Sequence, residues 1–227
     1  MRSLNIAATG MQAQQLYVDV TSQNLANINT TAYKLQRPEF SDLLYQNQRA
    51  PGSNSSDNGT IVPTGIQLGL GVRTTSISRN TTQGTLTSTS GPIDVAVQGR
   101  GYFQVTLPSG QIGYTRDGSF QIAQDGSLVT NDGFLITPTI TIPQNATSIS
   151  INQSGEVSAT IPNQTAAQVL GQMQIANFIN EAGLQAVGNN LFTETTASGA
   201  AVVGSPGQDG LGTILQGFLE TSNVNPV

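Results

Sequence analysis

Cysteine, histidine and tryptophan are all absent from this 227-residue chain. Without cysteine there is no disulfide staple and no thiolate nucleophile. Without histidine there is no imidazole base, and the usual zinc ligands vanish with the pair. Charge is also scarce, at 9% of residues against about 25% in an ordinary soluble domain. Thirteen acids against eight bases give a net charge of −5. The bases, Arg2, Lys34, Arg37, Arg49, Arg73, Arg79, Arg100 and Arg116, are scattered, so no face is available for a phosphate backbone and no nucleic-acid partner is expected. No run approaches the roughly twenty apolar residues of a membrane span, and Met1-Arg2-Ser3-Leu4 opens no apolar core of signal-peptide length. Neither direct membrane insertion nor a cleaved leader is therefore expected.

What is present is a polar, weakly charged surface, rich in Ser, Thr, Asn, Gln and 25 glycines. Such surfaces repel their own copies weakly and suit dense self-packing. The first thirty residues point the same way. Leu4, Met11, Val18 and Leu25 recur at seven-residue spacing along a proline-free stretch, predicting a helix with a thin apolar seam. The companion stripe, Ala8, Gln15 and Ser22, is small or polar, so the seam is narrower than the face a helix shows to a globular core. Such a helix needs neighbours on several sides. At the other end, Ser222-Asn223-Val224-Asn225-Pro226-Val227 reads as the start of a helix, with Asn as N-cap and proline at the first helical position; a frayed tail is the plainer reading. The expectation is a C-terminal helix absent from this chain that would pack beside the first.

Between the ends the pattern changes. Residues 30 to 45 mix apolar and charged residues around Pro38 and read as an extended arm. Residues 46 to 65 (QNQRAPGSNSSDNGTIVPTG) bury too little apolar area to offset their ordering entropy and read as a linker, mobile in isolation. From Ile66 to about Leu219 short alternating runs separated by glycine pairs predict strands and tight turns. Asp117-Gly118, Asp125-Gly126 and Asp132-Gly133 predict hairpin turns. The strands around them, Gly113 to Arg116, Phe120 to Ala123, Leu128 to Thr130 and Phe134 to Thr137, predict one meander with Tyr102, Phe103, Val105, Phe120, Ile122, Leu128, Val129, Phe134 and Leu135 as core. Gln168 to Phe178 is expected as one strand, residues 188 to 212 as turn and loop, and Thr213 to Leu219 as a last strand returning toward the helix. The fold class is thus mainly β: a compact antiparallel β domain inserted between N- and C-terminal helices. Its divisions are a helix over 1–29, an arm and low-complexity stretch over 30–65, a β domain over 66–219, and the start of the lost helix over 220–227.

No catalytic, metal or cofactor site emerges from the motifs. An EF-hand loop counted back from Gly133 would need a ligand at Leu128. Asp117, Asp125, Asp132 and Asp209 all precede glycine, which turns require, and with aromatics at 5% no platform for sugars accompanies Glu156, Glu181 and Glu194. Gly99-Arg100-Gly101 lacks the later glycine and lysine of a phosphate loop and reads as a hairpin connection, with Arg100 toward solvent or an acid on a neighbour.

Longer stretches carry a family resemblance. IAATGMQAQQLYVDVTSQNLANINTTAYK (Ile6 to Lys34) resembles the amino-terminal signature of bacterial flagellar rod and hook proteins, and IDVAVQGRGYFQV (Ile93 to Val105) resembles their second common block. YTRDGSFQIAQDGSLVTNDGFLI (Tyr114 to Ile136), GNNLFTETTASG (Gly188 to Gly199) and GLGTILQGFLETSNVNPV (Gly210 to Val227) extend the similarity over nearly the whole chain. YQNQRAPG (Tyr45 to Gly52) followed by PTGIQLGLGVR (Pro63 to Arg73) is similar to the stretch that marks the distal-rod branch and that hook subunits lack in this form. Within it Tyr45, Gln46, Asn47, Arg49, Pro51, Gly52, Pro63 and Gly65 are the candidate rod-specific residues.

The resemblance implies a structural homo-oligomer without cofactors. It would be exported uncleaved through the flagellum's own type III channel and polymerise beneath a rod cap into a helical tube spanning the periplasm. Its neighbours would be proximal rod proteins, hook protein and the outer-membrane and peptidoglycan ring proteins. Terminal helices would line the tube as a coiled coil, with the β domain outside and the low-complexity arm between subunits. Leu4, Ala8, Met11, Gln15, Val18 and Leu25 would form the helix-packing interface, and Asn24, Ala26, Asn27, Asn29, Thr30 and Thr31 would turn the chain out of the tube wall. Ala32 occupies a position that is commonly glycine in the family, so the turn there is expected to differ locally, and loss of the second helix is expected to leave this chain largely monomeric. Alternatives are a proximal rod or hook subunit, or a secreted β-rich adhesin.

Overall fold

Proline-free and built on a seven-residue repeat, Arg2–Ala26 forms a continuous helix, α1. The computed structural model describes residues 2–52, 64–162 and 166–225, which divide into two compact units: Met1–Ala26 with Gln36–Arg79, and Asn27–Leu35 with Asn80–Val227.

In the first unit four strands follow the helix: β1 (Gln36–Asp42), β2 (Tyr45–Arg49), β3 (Ile66–Gly69) and β4 (Val72–Arg79). β1 and β4 pair antiparallel from Gln36↔Arg79 to Asp42↔Val72, with a bulge at Glu39/Phe40. α1 lies against this pair and buries Ala13, Val20 and Asn24. Asn24 fastens the helix end: its Nδ2 donates to the Gln36 carbonyl at 2.7 Å and its Oδ1 accepts the Gln36 N–H at 3.0 Å. β2 and β3 form a separate ribbon from Tyr45↔Gly69 to Arg49↔Ile66. Gln46–Arg49, read from composition as part of an open linker, is therefore strand. Ladder hydrogen bonds use backbone groups, so the polar run pairs once the alternating Ile66-Gln67-Leu68-Gly69 lies opposite.

The second unit holds the core. Its largest sheet runs, in spatial order, Gln185–Gly188, Leu191–Thr193, Ile112–Thr115, Tyr102–Thr106, Leu135–Thr137, Leu128–Val129 and Gln121–Ile122. Ile175–Asn177 joins Tyr102–Thr106 through Phe103 and Tyr102, and carries Val202–Gly204 beside it. A three-stranded sheet comprises Ser148–Ile151, Glu156–Thr160 and Gln168–Gln172. Two further pairs are Val95–Gln98 with Thr213–Gln216 and Leu86–Ser88 with Phe218–Glu220.

Alternation along Tyr102–Thr106 feeds two clusters. Phe103 and Val105 are buried, Phe103 packing with Val97, Leu128, Ile136, Met173 and Ile214, while Tyr102 packs on the other side with Tyr114, Phe178 and Leu184. Edge-to-face rings join each cluster, Phe103 to Phe120 at 5.1 Å and Tyr114 to Phe178 at 4.8 Å, the geometry favoured by ring quadrupoles.

Several expectations need correction. Tyr102, Phe103, Val105, Phe120, Leu128 and Val129 are buried as expected, but Ile122 and Leu135 are 46% and 38% exposed and Phe134 is half-buried. The two-residue period turns Ile136, opposite Val105, inward instead of Leu135, and Ile122 belongs to the sheet's last strand. Gln121 to Thr137 does form a three-strand meander, yet Ile112–Thr115 is separated from it by Tyr102–Thr106. Gln168 to Phe178 is two strands in two sheets, interrupted at buried Met173, whose N–H donates to the Gly155 carbonyl at 2.7 Å. Thr213 to Leu219 is likewise two strands, bent at Gly217 with φ +73°, a left-handed backbone that glycine adopts without steric cost. Residues 188 to 212, read as turn and loop, also contain the strands Leu191–Thr193 and Val202–Gly204. Thr221–Asn225 is not helical, and Pro226 and Val227 lie outside the described residues.

Candidate functional site

On α1 the heptad residues face away from the strands. Leu4 is 66% exposed, Met11 68%, Val18 58% and Leu25 61%. Ala8 is half-buried and Gln15 exposed. Four large apolar side chains thus lie in a line on one helix, exposed, while Ala13, Val20 and Asn24 are buried. Of the other candidates, Tyr45, Gln46, Asn47 and Arg49 are exposed on β2; Pro51 and Gly52 are exposed after it, and Gly65 is half-buried. Pro63 lies outside the described residues.

The chain leaves the helix through a local hydrogen-bonded turn. Thr30 donates through its N–H to the Asn27 carbonyl and through its hydroxyl to the Asn27 Oδ1, both at 3.1 Å. Asn24 is buried, whereas Ala26 and Asn29 are exposed. Thr31 offers its carbonyl to the Asn190 Nδ2 at 3.0 Å. Ala32 then takes φ +59° while buried, a left-handed backbone adopted with a Cβ present. Its N–H donates to the Glu220 carbonyl at 2.8 Å.

That bond begins a clamp within the second unit. Asn223 holds the incoming segment on two sides: its Oδ1 accepts the Leu35 N–H at 2.6 Å, and its Nδ2 donates to the carbonyls of Asn80 and Thr82, each at 3.0 Å. Beneath it lies an ion cluster. The Glu220 side chain is fully buried, and those of Lys34 and Arg116 are 3% and 6% exposed. Glu220 Oε1 accepts the Lys34 ammonium and the Gly84 N–H, and Oε2 accepts the Arg116 Nε at 3.0 Å. Lys34 also donates to the Thr82 carbonyl at 2.9 Å. Burial pulls the Lys34 ammonium below the ordinary lysine value; Glu220 opposes this, and the Arg116 charge adds to the lowering.

The Gly99-Arg100-Gly101 loop completes the shell. It does not close a hairpin: Val95–Gln98 pairs with Thr213–Gln216, whereas Tyr102–Thr106 lies in the large sheet. It turns the Gly99 and Gly101 carbonyls onto Arg116 Nη1 at 2.8 and 2.6 Å. Arg100 pairs with Glu181 of the same chain at 3.2 Å, and the Tyr102 hydroxyl donates to the same carboxylate at 3.1 Å.

Reading the bases as scattered missed this convergence, because Lys34 and Glu220 are 186 positions apart and Arg116 and Glu220 are 104. One signal was available: Phe218-Leu219-Glu220 ends an apolar strand on an acid in a chain with few charges. Among the described residues no group of acids could hold a metal ion, and no helix is long and apolar enough to cross a membrane.

Residues 4–34 match the family described as Flagella basal body rod protein, and residues 96–159 match the Flagellar hook protein FlgE/F/G D1 domain. Helix and β unit together thus mark an axial protein of the flagellar rod-and-hook class. Full-length comparison is more specific. The flagellar basal-body rod protein FlgG of Caulobacter vibrioides is 53% identical over the whole chain and 87% of its own length. The FlgG proteins of Buchnera aphidicola subsp. Acyrthosiphon pisum and Agrobacterium fabrum are 50% and 49% identical over 98% and 100% of the chain, and 85% and 87% of their own lengths. The flagellar hook protein FlgE of Helicobacter mustelae is 34% identical over 72% of the chain and 36% of its own length. The chain belongs to the FlgG family of flagellar basal-body rod proteins, a structural rather than an enzymatic family.

Proposed function

We propose that this chain acts through the exposed stripe of α1, which packs against the same helix of neighbouring copies in the wall of a tube. The chain is a structural subunit of the distal rod of the flagellar basal body. The observation that carries the packing reading is the exposure of Leu4, Met11, Val18 and Leu25 on a helix whose other side is already buried. Each such side chain gains about 1.5–3 kcal/mol when fully removed from water, and a helical polymer repeats the gain at every subunit. The exit segment Asn24 to Thr31 directs the chain out of this wall, and the exposed β2–β3 ribbon with Tyr45, Arg49 and Pro51 lies between subunits. The resulting rigid tube transmits torque from motor to hook and forms part of the export channel. Its partners are further copies, the proximal rod and hook proteins, the rod cap, and the ring proteins of the peptidoglycan and outer membrane. It reaches the periplasm through the flagellum's own channel.

The test is Met11→Asp with Val18→Asp in the full-length protein, supplied to a host lacking its own distal-rod subunit. Swimming in soft agar and rods in purified basal bodies should both be lost, while the urea midpoint of the purified variant stays unchanged. Normal swimming with rods intact would overturn the packing reading.

A further inference from the structure

Beside the buried ion cluster the second unit opens a cavity of about 300 Å³, lined by Thr82, Gln83, Gly99, Arg100, Arg116 and Glu181 among others. Arg116 is nearly all buried, and its hydrogen bonds use only two of its three nitrogens: Nε goes to Glu220 and Nη1 to Gly99 and Gly101. Nη2 has no acceptor among the described residues, and it is not among the atoms sealed from solvent without a partner. A fixed guanidinium nitrogen therefore faces the cavity that Arg116 lines. Arg100 stands at the same cavity with its side chain 65% exposed.

The charge is unbalanced in one direction. Lys34, Arg100 and Arg116 face only Glu181 and Glu220. Glu181 is already engaged, with one oxygen on Arg100 and the other on the Tyr102 hydroxyl. One positive charge is left over beside this cavity, in a partly enclosed setting where a partner anion is held more strongly than at an open surface. Outside this cluster the chain has eleven acids against five bases, the thirteen and eight of the whole less the cluster's two and three. Every copy therefore brings an acid surplus to its neighbours. Asp19, Asp42, Asp132 and Asp209 are exposed, and none takes part in an ion pair among the described residues.

We propose that this cavity is a carboxylate-binding pocket, filled in the polymer by one of these exposed aspartates, Asp19, Asp42, Asp132 or Asp209, of a second copy of the chain. Arg116 Nη2 and the Arg100 guanidinium are the donors, and the Gly99–Gly101 carbonyls with Glu220 hold Arg116 in place. The occupant, though not the pocket, rests on the polymer reading given above.

Two arms test it. In the first, the isolated ¹⁵N-labelled chain is titrated with sodium acetate against sodium chloride at matched ionic strength. The Arg100 and Arg116 Nε–H signals and the Gly99 and Gly101 amides should shift saturably, with half-saturation on the order of 10 mM, and Arg100→Gln should weaken this about fivefold or more. Equal, non-saturating shifts in both salts would overturn the pocket. In the second arm, Arg100→Glu is introduced into the full-length protein in a swimming host. Rod assembly should fall, and reversal of one exposed acid, tested singly as Asp19→Arg, Asp42→Arg, Asp132→Arg and Asp209→Arg, should restore it. Saturable acetate binding with no restoring reversal would assign the pocket to a free carboxylate and overturn the second-copy occupant. Intact rods with Arg100→Glu, when Met11→Asp with Val18→Asp abolishes them, would also overturn that occupant and leave the helix reading standing.

Discussion

The two units spend their apolar residues differently. In the second, Phe103, Val105, Val157, Met173 and Ile175 are wholly enclosed and close-packed. In the first, the large apolar residues Leu4, Met11, Val18, Leu25, Leu44, Tyr45, Ile66 and Leu68 are mostly in water, and the buried helix positions are Ala13, Val20 and Asn24. One unit carries a core sufficient to hold its own sheets together. The other leaves its largest apolar residues exposed, so they add little to its own cohesion.

The contrast can be broken most severely at the ion cluster. Glu220→Gln leaves two buried cations without their anion and should destabilise the chain by about 3–5 kcal/mol in urea unfolding. Replacing all three together, Glu220→Leu with Lys34→Met and Arg116→Leu, should recover most of that loss, since an apolar trio needs no pairing. A loss below about 1 kcal/mol for Glu220→Gln would mean that water reaches the cluster.

A paired truncation compares the units directly. Phe103→Ala should cost about 3–5 kcal/mol, whereas Val18→Ala should change stability by less than about 0.5 kcal/mol while impairing rods. A comparable loss from both would show that the helix stripe already has a partner in the isolated chain.

Ala32→Gly should act more gently. A left-handed alanine costs about 1–2 kcal/mol, and glycine gives back part of that relief through its freer unfolded chain, so a net gain of up to about 1 kcal/mol is expected by thermal melting. A loss would show that the Ala32 Cβ contributes packing that outweighs the strain.

The smallest effect is a pH slope. Burial holds the Lys34 ammonium below the ordinary lysine value in the folded chain, so between its folded value and that ordinary value the unfolded chain binds more protons. Stability from this group therefore rises with pH across that window. Urea midpoints between neutral pH and 10 should show the rise relative to Lys34→Met; parallel profiles would remove Lys34 from the balance.

Local pattern made much of this molecule legible. The heptad in residues 4 to 25 is a helix stripe, and Asp125-Gly126 and Asp132-Gly133 are turns with both glycines at positive φ. The carboxylates of Asp117 and Asp125 also cap nearby backbone, accepting the N–H of Ser119 and Ser127 at 3.0 and 3.1 Å. What pattern could not supply was pairing at a distance. Nothing near Met173 signals that the strand before it joins Glu156–Thr160 while the strand after it joins Tyr102–Thr106. Equally, Lys34, Arg116 and Glu220 look like three ordinary surface charges until the sheet closes over them. The Arg100 loop was misread for the same reason: its flanking strands suit a hairpin locally, but their partners are elsewhere.

The adjacency of Ala32 and Leu35 to Glu220 and Asn223 has a mechanical consequence. A pull applied at Asn27 and Val224 would bear first on the Ala32–Glu220 and Leu35–Asn223 bonds and on the ion cluster behind them, bypassing the long path through the sheets. Strain would be shunted across a short bridge, and the folded chain beyond it would ride along unstretched, like cargo hung from a closed shackle.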